Sequence, residues 1–168
     1  MKIINLTLVI ICSLLVASCS PEKHNDSKEA ATTTVTASNA VYSLNQIIDF
    51  QRQPESVKFQ TATQVPKTLG ANGLENWGLV ALLKFSEEDL KYFIDKTTPA
   101  DSKSLPENFA FPWLKPTLEN DFKIDASSNS YVYQKGALKA ESFYRFPLIH
   151  GTSFQISSTE ILIYLHTQ

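Results

Sequence analysis

The stretch Trp77-Gly78-Leu79-Val80-Ala81-Leu82-Leu83-Lys84-Phe85 constrains the fold more than any other part of the chain. It is apolar almost throughout, too short for a typical helix, and bounded by turn residues. That combination predicts a central strand buried on both faces. Its upstream partner is Val57 to Thr63, which alternates in the manner of a half-buried strand. Between them Pro66, Gly70, Asn72 and Gly73 mark a loop.

Helix signals flank these strands. Ser43 with Gln46 reads as a capping box, and Leu44, Ile47 and Ile48 follow at helical spacing. A short helix from Leu44 to Arg52 is predicted, ended by Pro54. Ser86-Glu87-Glu88-Asp89 is the clearest start signal in the chain. Ser86 caps, and the three acids favour the positive end of the helix dipole. The helix should run from Glu87 to Lys96. The acid triplet resembles a catalytic or calcium cluster, but capping explains it.

From Thr98 to Phe122 the chain reads as a loop stiffened by Pro99, Pro106, Pro112 and Pro116. The remainder reads as strands: Tyr131 to Gln134, Glu141 to Phe146, Ser153 to Ser157 and Thr159 to Thr167, with Gly136 and Gly151 in turns between them. The expected class is α+β, a largely antiparallel sheet of about five to six strands with two short helices. In the last strand Ile161, Ile163 and Leu165 fall on one side, Leu162 and Tyr164 on the other.

The first forty residues are of another kind. Lys2 precedes an apolar run from Ile3 to Val16, which has the architecture of a signal peptide. The run is short of the roughly 20 residues that a spanning helix needs. It exits through Leu15-Val16-Ala17-Ser18-Cys19. Small residues immediately before a cysteine resemble the lipobox of bacterial lipoproteins. The resemblance covers Leu15 to Cys19 and nothing in the domain. It implies that residues 1–18 are removed, that Cys19 receives a diacylglycerol on its thiol, and that its new amine is acylated. Two or more acyl chains give stable anchoring. In two-membrane bacteria the family uses an aspartate after the cysteine to hold the protein at the inner membrane. Ser20 stands here instead, which implies the outer membrane, facing the periplasm or the surface. Residues 19–40 are rich in Ser, Thr, Ala and charge, and read as a flexible tether that includes a solvated His24. Residues 41–168 then form one α+β domain.

Composition removes several function classes. The only cysteines are Cys12 and Cys19, so the domain has no disulfide, no thiol nucleophile and no cysteine-based metal site. The formal net charge is −2 and evenly mixed, which disfavours nucleic acid as a partner. The five glycines form no phosphate-cradling pattern, and no cofactor is expected. Asp121 and Asp125 alternate along a possible strand, a common arrangement on solvated faces rather than a metal site. His150-Gly151-Thr152-Ser153 places a base beside two hydroxyls but lacks the nucleophile-elbow pattern. His166 reads as exposed or structural.

Two aromatic groups remain. Phe109, Phe111 and Trp113 lie in the proline-stiffened segment and form the candidate binding patch, since aromatic residues anchor interfaces. The same rings could fold back as a lid on the core. Tyr131, Tyr133, Phe143, Tyr144 and Phe146 suit cross-strand packing. The leading functional expectation is a membrane-anchored envelope lipoprotein that binds a protein partner without catalysis, of the assembly-factor or toxin-immunity type. The alternatives are a small hydrolase using His150, and a structural lipoprotein that binds cell-wall glycan.

Overall fold

The computed structural model describes residues 36–63 and 77–167. The expected signal peptide, Cys19, most of the expected tether and the expected loop through Pro66 and Gly73 lie outside the described residues. Among the described residues five strands make the main sheet: β1 (Ser56–Thr63), β2 (Trp77–Lys84), β6 (Leu138–Lys139), β7 (His150–Gln155) and β8 (Glu160–His166). All neighbours are antiparallel, in the order β1-β2-β8-β7-β6. A second sheet holds β3 (Ser104–Pro106), β4 (Phe122–Asp125) and β5 (Ser130–Tyr133), with β5 in the middle. The α-helices among the described residues are α1 (Val41–Asn45), α2 (Glu87–Lys96) and α3 (Lys115–Asp121). The class is α+β, as the patterning predicts.

The main sheet is buried on both faces, and side-chain alternation divides the core in two. Leu79, Ala81 and Leu83 of β2 join Ile161, Ile163 and Leu165 of β8 on one face. There they meet Leu44 and Ile48 near α1, Leu90 and Phe93 of α2, and Phe143 and Leu148. On the other face Val80, Leu162 and Tyr164 meet Leu105, Phe109, Leu114, Leu118, Phe122 and Tyr133. The small sheet and α3 therefore cover one face of the main sheet, while α1 and α2 cover the other.

Helix α2 begins and ends where its caps require. Ser86 Oγ accepts the Asp89 N–H at 3.1 Å, and the acids fill the first turn. Helix α1 differs from expectation. It starts at Val41 with Ala40 as its cap and no side-chain cap bond, so Ser43 lies inside it. It stops at Asn45 because Arg145, from a distant loop, donates to the Asn45 carbonyl and pairs with Asp49. A tertiary partner thus takes the carbonyl that another helical turn would have used. The chain also joins the fold before residue 41, since Ser38 exchanges two backbone bonds with Phe59.

Three further expectations are corrected. The segment Thr98 to Phe122 is not loop throughout; it holds β3, two 3-10 turns and α3. Pro116 sits in the first turn of α3, where a missing N–H costs nothing. Glu141 to Phe146 is not a strand but a 3-10 turn over Glu141–Phe143 followed by an extended hook. Gly151 is not in a turn. It lies within β7 opposite Leu165, at φ +152°, and a Cβ there would fall 2.1 Å from the Tyr164 carbonyl oxygen.

Gly78 matters for a different reason, because it lets the Phe109 ring lie directly on β2. A Cβ at Gly78 would stand 2.6 Å from Phe109 Cζ. The Gly78→Ala variant should therefore lose about 1–3 kcal/mol of stability through overpacking. Combined with Phe109→Leu, the two losses should sum to more than the double variant shows, because the smaller side chain relieves the clash. Urea unfolding of both single variants and the double variant checks this. Simple additivity would mean that the close approach is not the source of the loss.

Candidate functional site

The predicted aromatic patch is largely interior. Phe109 is fully buried and packs against Tyr164 at 4.9 Å between ring centroids. Phe111 is also buried and lies nearly parallel to Trp113, with centroids 6.4 Å apart. Trp113 is half-buried against β1. Its Nε1–H donates to Gln60 Oε1 at 2.9 Å, and Lys58 Nζ stands 5.4 Å from its ring. The three rings therefore lid the second core instead of forming an exposed surface. The cause is burial: the apolar face of the main sheet removes more ring area from water than a projecting loop could.

The segment nevertheless builds a site, by forming one wall of a cleft. Phe111 and Pro112 supply that wall, Leu118 of α3 the next, and Phe122, Ile124 and Tyr131 of the small sheet the floor. The cleft encloses about 730 Å³, within the range typical of ligand pockets. Lys115 and Glu119 stand at its rim, and Lys123 borders it along β4. Lys115 pairs with Glu119 across one helical turn at 3.6 Å, whereas Lys123 makes no ion pair among the described residues.

The floor explains the cleft. In β4 Phe122 and Ile124 share a face, paired with Tyr133 and Tyr131 respectively. The inner row, Phe122 and Tyr133, packs on Phe154 of the main sheet. The outer row extends beyond the core, and Ile124 is left 73% exposed. Covering such a side chain is worth about 1.5–3 kcal/mol. The apolar face of the small sheet thus continues past the layer that buries it.

The other sequence candidates do not converge. His150 is exposed and lies opposite His166 across β7 and β8, their rings stacked at 5.7 Å. Among the described residues no hydrogen bond or ion pair joins His150 to a hydroxyl or carboxylate. Ser153, close by in sequence, is buried and donates to the Leu138 and Lys139 carbonyls at 3.2 and 3.3 Å. His166 is half-buried and also stacks on Tyr164 at 5.1 Å. Asp121 ends α3 and accepts from Lys135 at 3.0 Å. Asp125 instead closes the β4–β5 turn, accepting from Ser127 and Ser128. Those hydroxyls hold its carboxyl below the usual carboxylate range. No group of three metal-ligating side chains occurs among the described residues.

In the second aromatic group Tyr131 and Tyr133 do pack across strands, opposite Ile124 and Phe122, whereas Phe143 lies in a 3-10 turn. Phe143 stacks on Phe93 at 5.1 Å in the first core, while Tyr133 packs on Phe122 and Phe154 in the second. Phe146 packs on neither and is 81% exposed. Sequence reasoning singles out Phe111 but not Leu118, Ile124 or Lys123. An i,i+4 pair of Lys115 with Glu119 around a first-turn proline is the available signal for α3.

Two tyrosines make the fold sensitive to alkali. Burial pushes the Tyr133 hydroxyl above the ordinary tyrosine value, against the pull of Lys135. Its O–H donates to the Gln155 carbonyl, tying the small sheet to the main one. Burial, helped by Glu141, also raises Tyr144, whose O–H donates to the Gly151 carbonyl at 3.2 Å. With a raised value the folded state holds the proton longer than the unfolded chain. Stability is therefore complete below pH about 10 and falls as pH rises above it. The Tyr133→Phe variant should be less stable at pH about 8 by about 0.5–1.5 kcal/mol, with a shallower decline toward alkaline pH. Urea midpoints across that range measure both effects. An equally steep decline in the variant would remove Tyr133 as a cause.

No described helix is long and apolar enough to cross a membrane. The sequence matches no protein-family model, and neither a curated protein nor a solved structure matches it.

Proposed function

We propose that this chain is a lipid-anchored envelope protein whose domain binds an apolar segment of a protein partner in the Phe111–Ile124 cleft, without catalysis. The cleft carries this reading. Its walls are apolar, its floor is an uncovered continuation of a sheet face, and its rim bears charges that would orient a partner. Protein interfaces have this anatomy, an apolar centre within a polar rim. The signal-peptide pattern and the small residues before Cys19 support the anchor. A tether between anchor and domain lets the cleft reach partners away from the membrane surface.

A hydrolase would need His150, a hydroxyl and a carboxylate gathered in one pocket. His150 instead faces His166 at one end of the main sheet, outside the cleft. A glycan binder would need flat, exposed rings flanked by polar groups, whereas Phe111 is buried and Trp113 is bound to β1.

The anchor and the cleft call for separate experiments. Intact mass of the membrane-fraction protein should exceed that of the peptide from Cys19 by the mass of its acyl groups. The Cys19→Ala variant should lose that increment and leave the membrane. An unlipidated mass for the parent would overturn the anchor. For the cleft, a photoreactive residue at Glu119 should give a discrete cross-linked partner in intact cells. The same residue at Lys91, on the exposed side of α2, should not. Filling the cleft with Ala110→Trp should abolish the product. The same product from both positions, or one that survives Ala110→Trp, would remove the cleft from the binding surface.

A further inference from the structure

Strand β4 is an open edge, and the phase of its ladder fixes which groups face outward. Gln134 N–H donates to the Asp121 carbonyl at 3.0 Å, in register with the β4–β5 pairs. Bonded and non-bonded pairs alternate along an antiparallel ladder. Lys123 and Asp125 therefore direct their backbone groups to β5, and Phe122 and Ile124 direct theirs to the open edge. The opposite side of β5 agrees, since Tyr133 N–H donates to the Lys103 carbonyl of the strand leading into β3. The Phe122 N–H is already used by the Leu118 carbonyl at the end of α3. Ile124 retains both its N–H and its carbonyl without a backbone partner among the described residues.

Native edge strands are normally blunted by shortness, by charged side chains, or by a proline, a bulge or a covering loop. Strand β4 is short and carries Lys123 and Asp125, which disfavour most foreign strands but not one of complementary charge. Here the central edge residue is an exposed isoleucine. The residues flanking it are Lys123 and Asp125, which share the opposite face of the strand. That pattern is self-complementary. When a second copy lies antiparallel with Ile124 opposite Ile124, the two exchange N–H···O bonds in both directions. The two isoleucines meet on the cleft face. On the other face Lys123 stands opposite Asp125 of the second copy, and Asp125 opposite its Lys123. Opposite charges in directly facing positions stabilise a pair of strands, and like charges destabilise it.

We infer that β4 pairs with β4 of a second copy about a two-fold axis at Ile124, joining two small sheets into one of six strands. The contact is isologous, so it closes on itself and does not propagate into a fibre. It does not depend on what the cleft holds, although Lys123 and Ile124 border both. A four-residue edge buries less than the roughly 1,200 Å² of a stable interface. The dimer is therefore weak in dilute solution and forms where copies are crowded.

Oxidative cross-linking of the full chain tests this, with the protein expressed in cells and taken from whichever fraction holds it. Facing residues of a bonded pair lie about 5.5 Å apart at Cα, which a disulfide spans. Under a mild oxidant the Ile124→Cys variant should give a covalent dimer about tenfold faster than Phe146→Cys, a comparably exposed control. Lys123→Asp or Asp125→Lys, each added to Ile124→Cys, should slow cross-linking about tenfold, since each places like charges face to face. Co-expression of the two charge variants should restore it, because a copy with two acids at these positions would then face a copy with two lysines. Absence of a dimer, a rate indifferent to the charges, or failure of the mixed pair to recover would overturn the proposal. A cross-link to a different protein would also overturn it, and would assign the edge to a foreign strand. Loss of lipid on Cys19 would alter the fraction in which the protein is found but not the pattern of rescue.

Discussion

Pairing of β2 with β8 is the constraint on which the rest of this structure depends. From Gly78 opposite His166 to Lys84 opposite Glu160, seven consecutive pairs bring two apolar strands together. Both strands bury both faces, so neither can be stable without a layer on each side. One layer is helical, α1 and α2 over Leu79, Leu83 and Ile163. The other is the small sheet with its 3-10 turns and α3, over Val80, Leu162 and Tyr164. With no cysteine in the domain, no cross-link limits the unfolded chain, and packing against this strand pair must supply the cohesion.

The second layer explains where the cleft lies. Phe109 reaches Tyr164 only because Gly78 leaves room over β2, and Tyr133 is held by its hydroxyl at Gln155. These contacts fix one end of the small sheet against the main one. At its other end β4 runs outward beyond the area that β7 and β8 can cover, carrying Ile124 and its partner Tyr131 with it. The first row of the face is core and the second row is surface. A cleft forms where the wall of Phe111, Pro112 and Leu118 stands over that second row. The same displacement leaves β4 as an edge, so the exposed side chain and the unpaired backbone arise together at Ile124.

Local physics decides which parts are legible in the sequence. The bounds of α2 are readable because Ser86 and three acids determine them without help from elsewhere. Strands β1, β2 and β8 are readable because their patterning reports directly on burial. Helix α1 departs from its sequence pattern at both ends, and at the second a distant residue, Arg145, competes for its last carbonyl. The same residue lies just past Glu141–Phe143, where aromatic spacing suggests a strand and the chain instead turns to place Phe143 beneath Phe93. The aromatic segment allows two readings, and burial chooses the lid. The cleft itself is not legible. Its floor and walls come from positions that are adjacent only after β4 pairs with β5, and no period within a single segment encodes that.

The anchor proposed for Cys19 changes what the small edge contact can do. A lipid-held copy would explore a layer whose thickness is limited by the length of chain from Cys19 to the domain, so its neighbours would be present at far higher effective concentration than in the surrounding volume. A contact too small to hold a dimer in solution can then be populated, and its self-complementary charges would still reject a shifted register, which places Lys123 opposite the wrong residue. Pairing at Ile124 would bring two clefts to opposite sides of one two-fold axis, each with Lys115 and Glu119 at its rim. A partner that presents two copies of its apolar segment would then engage both at once. The weakness of the edge would be an advantage in that arrangement, because the pair could form and separate as partners arrive, while the doubly buried β2–β8 core stays intact.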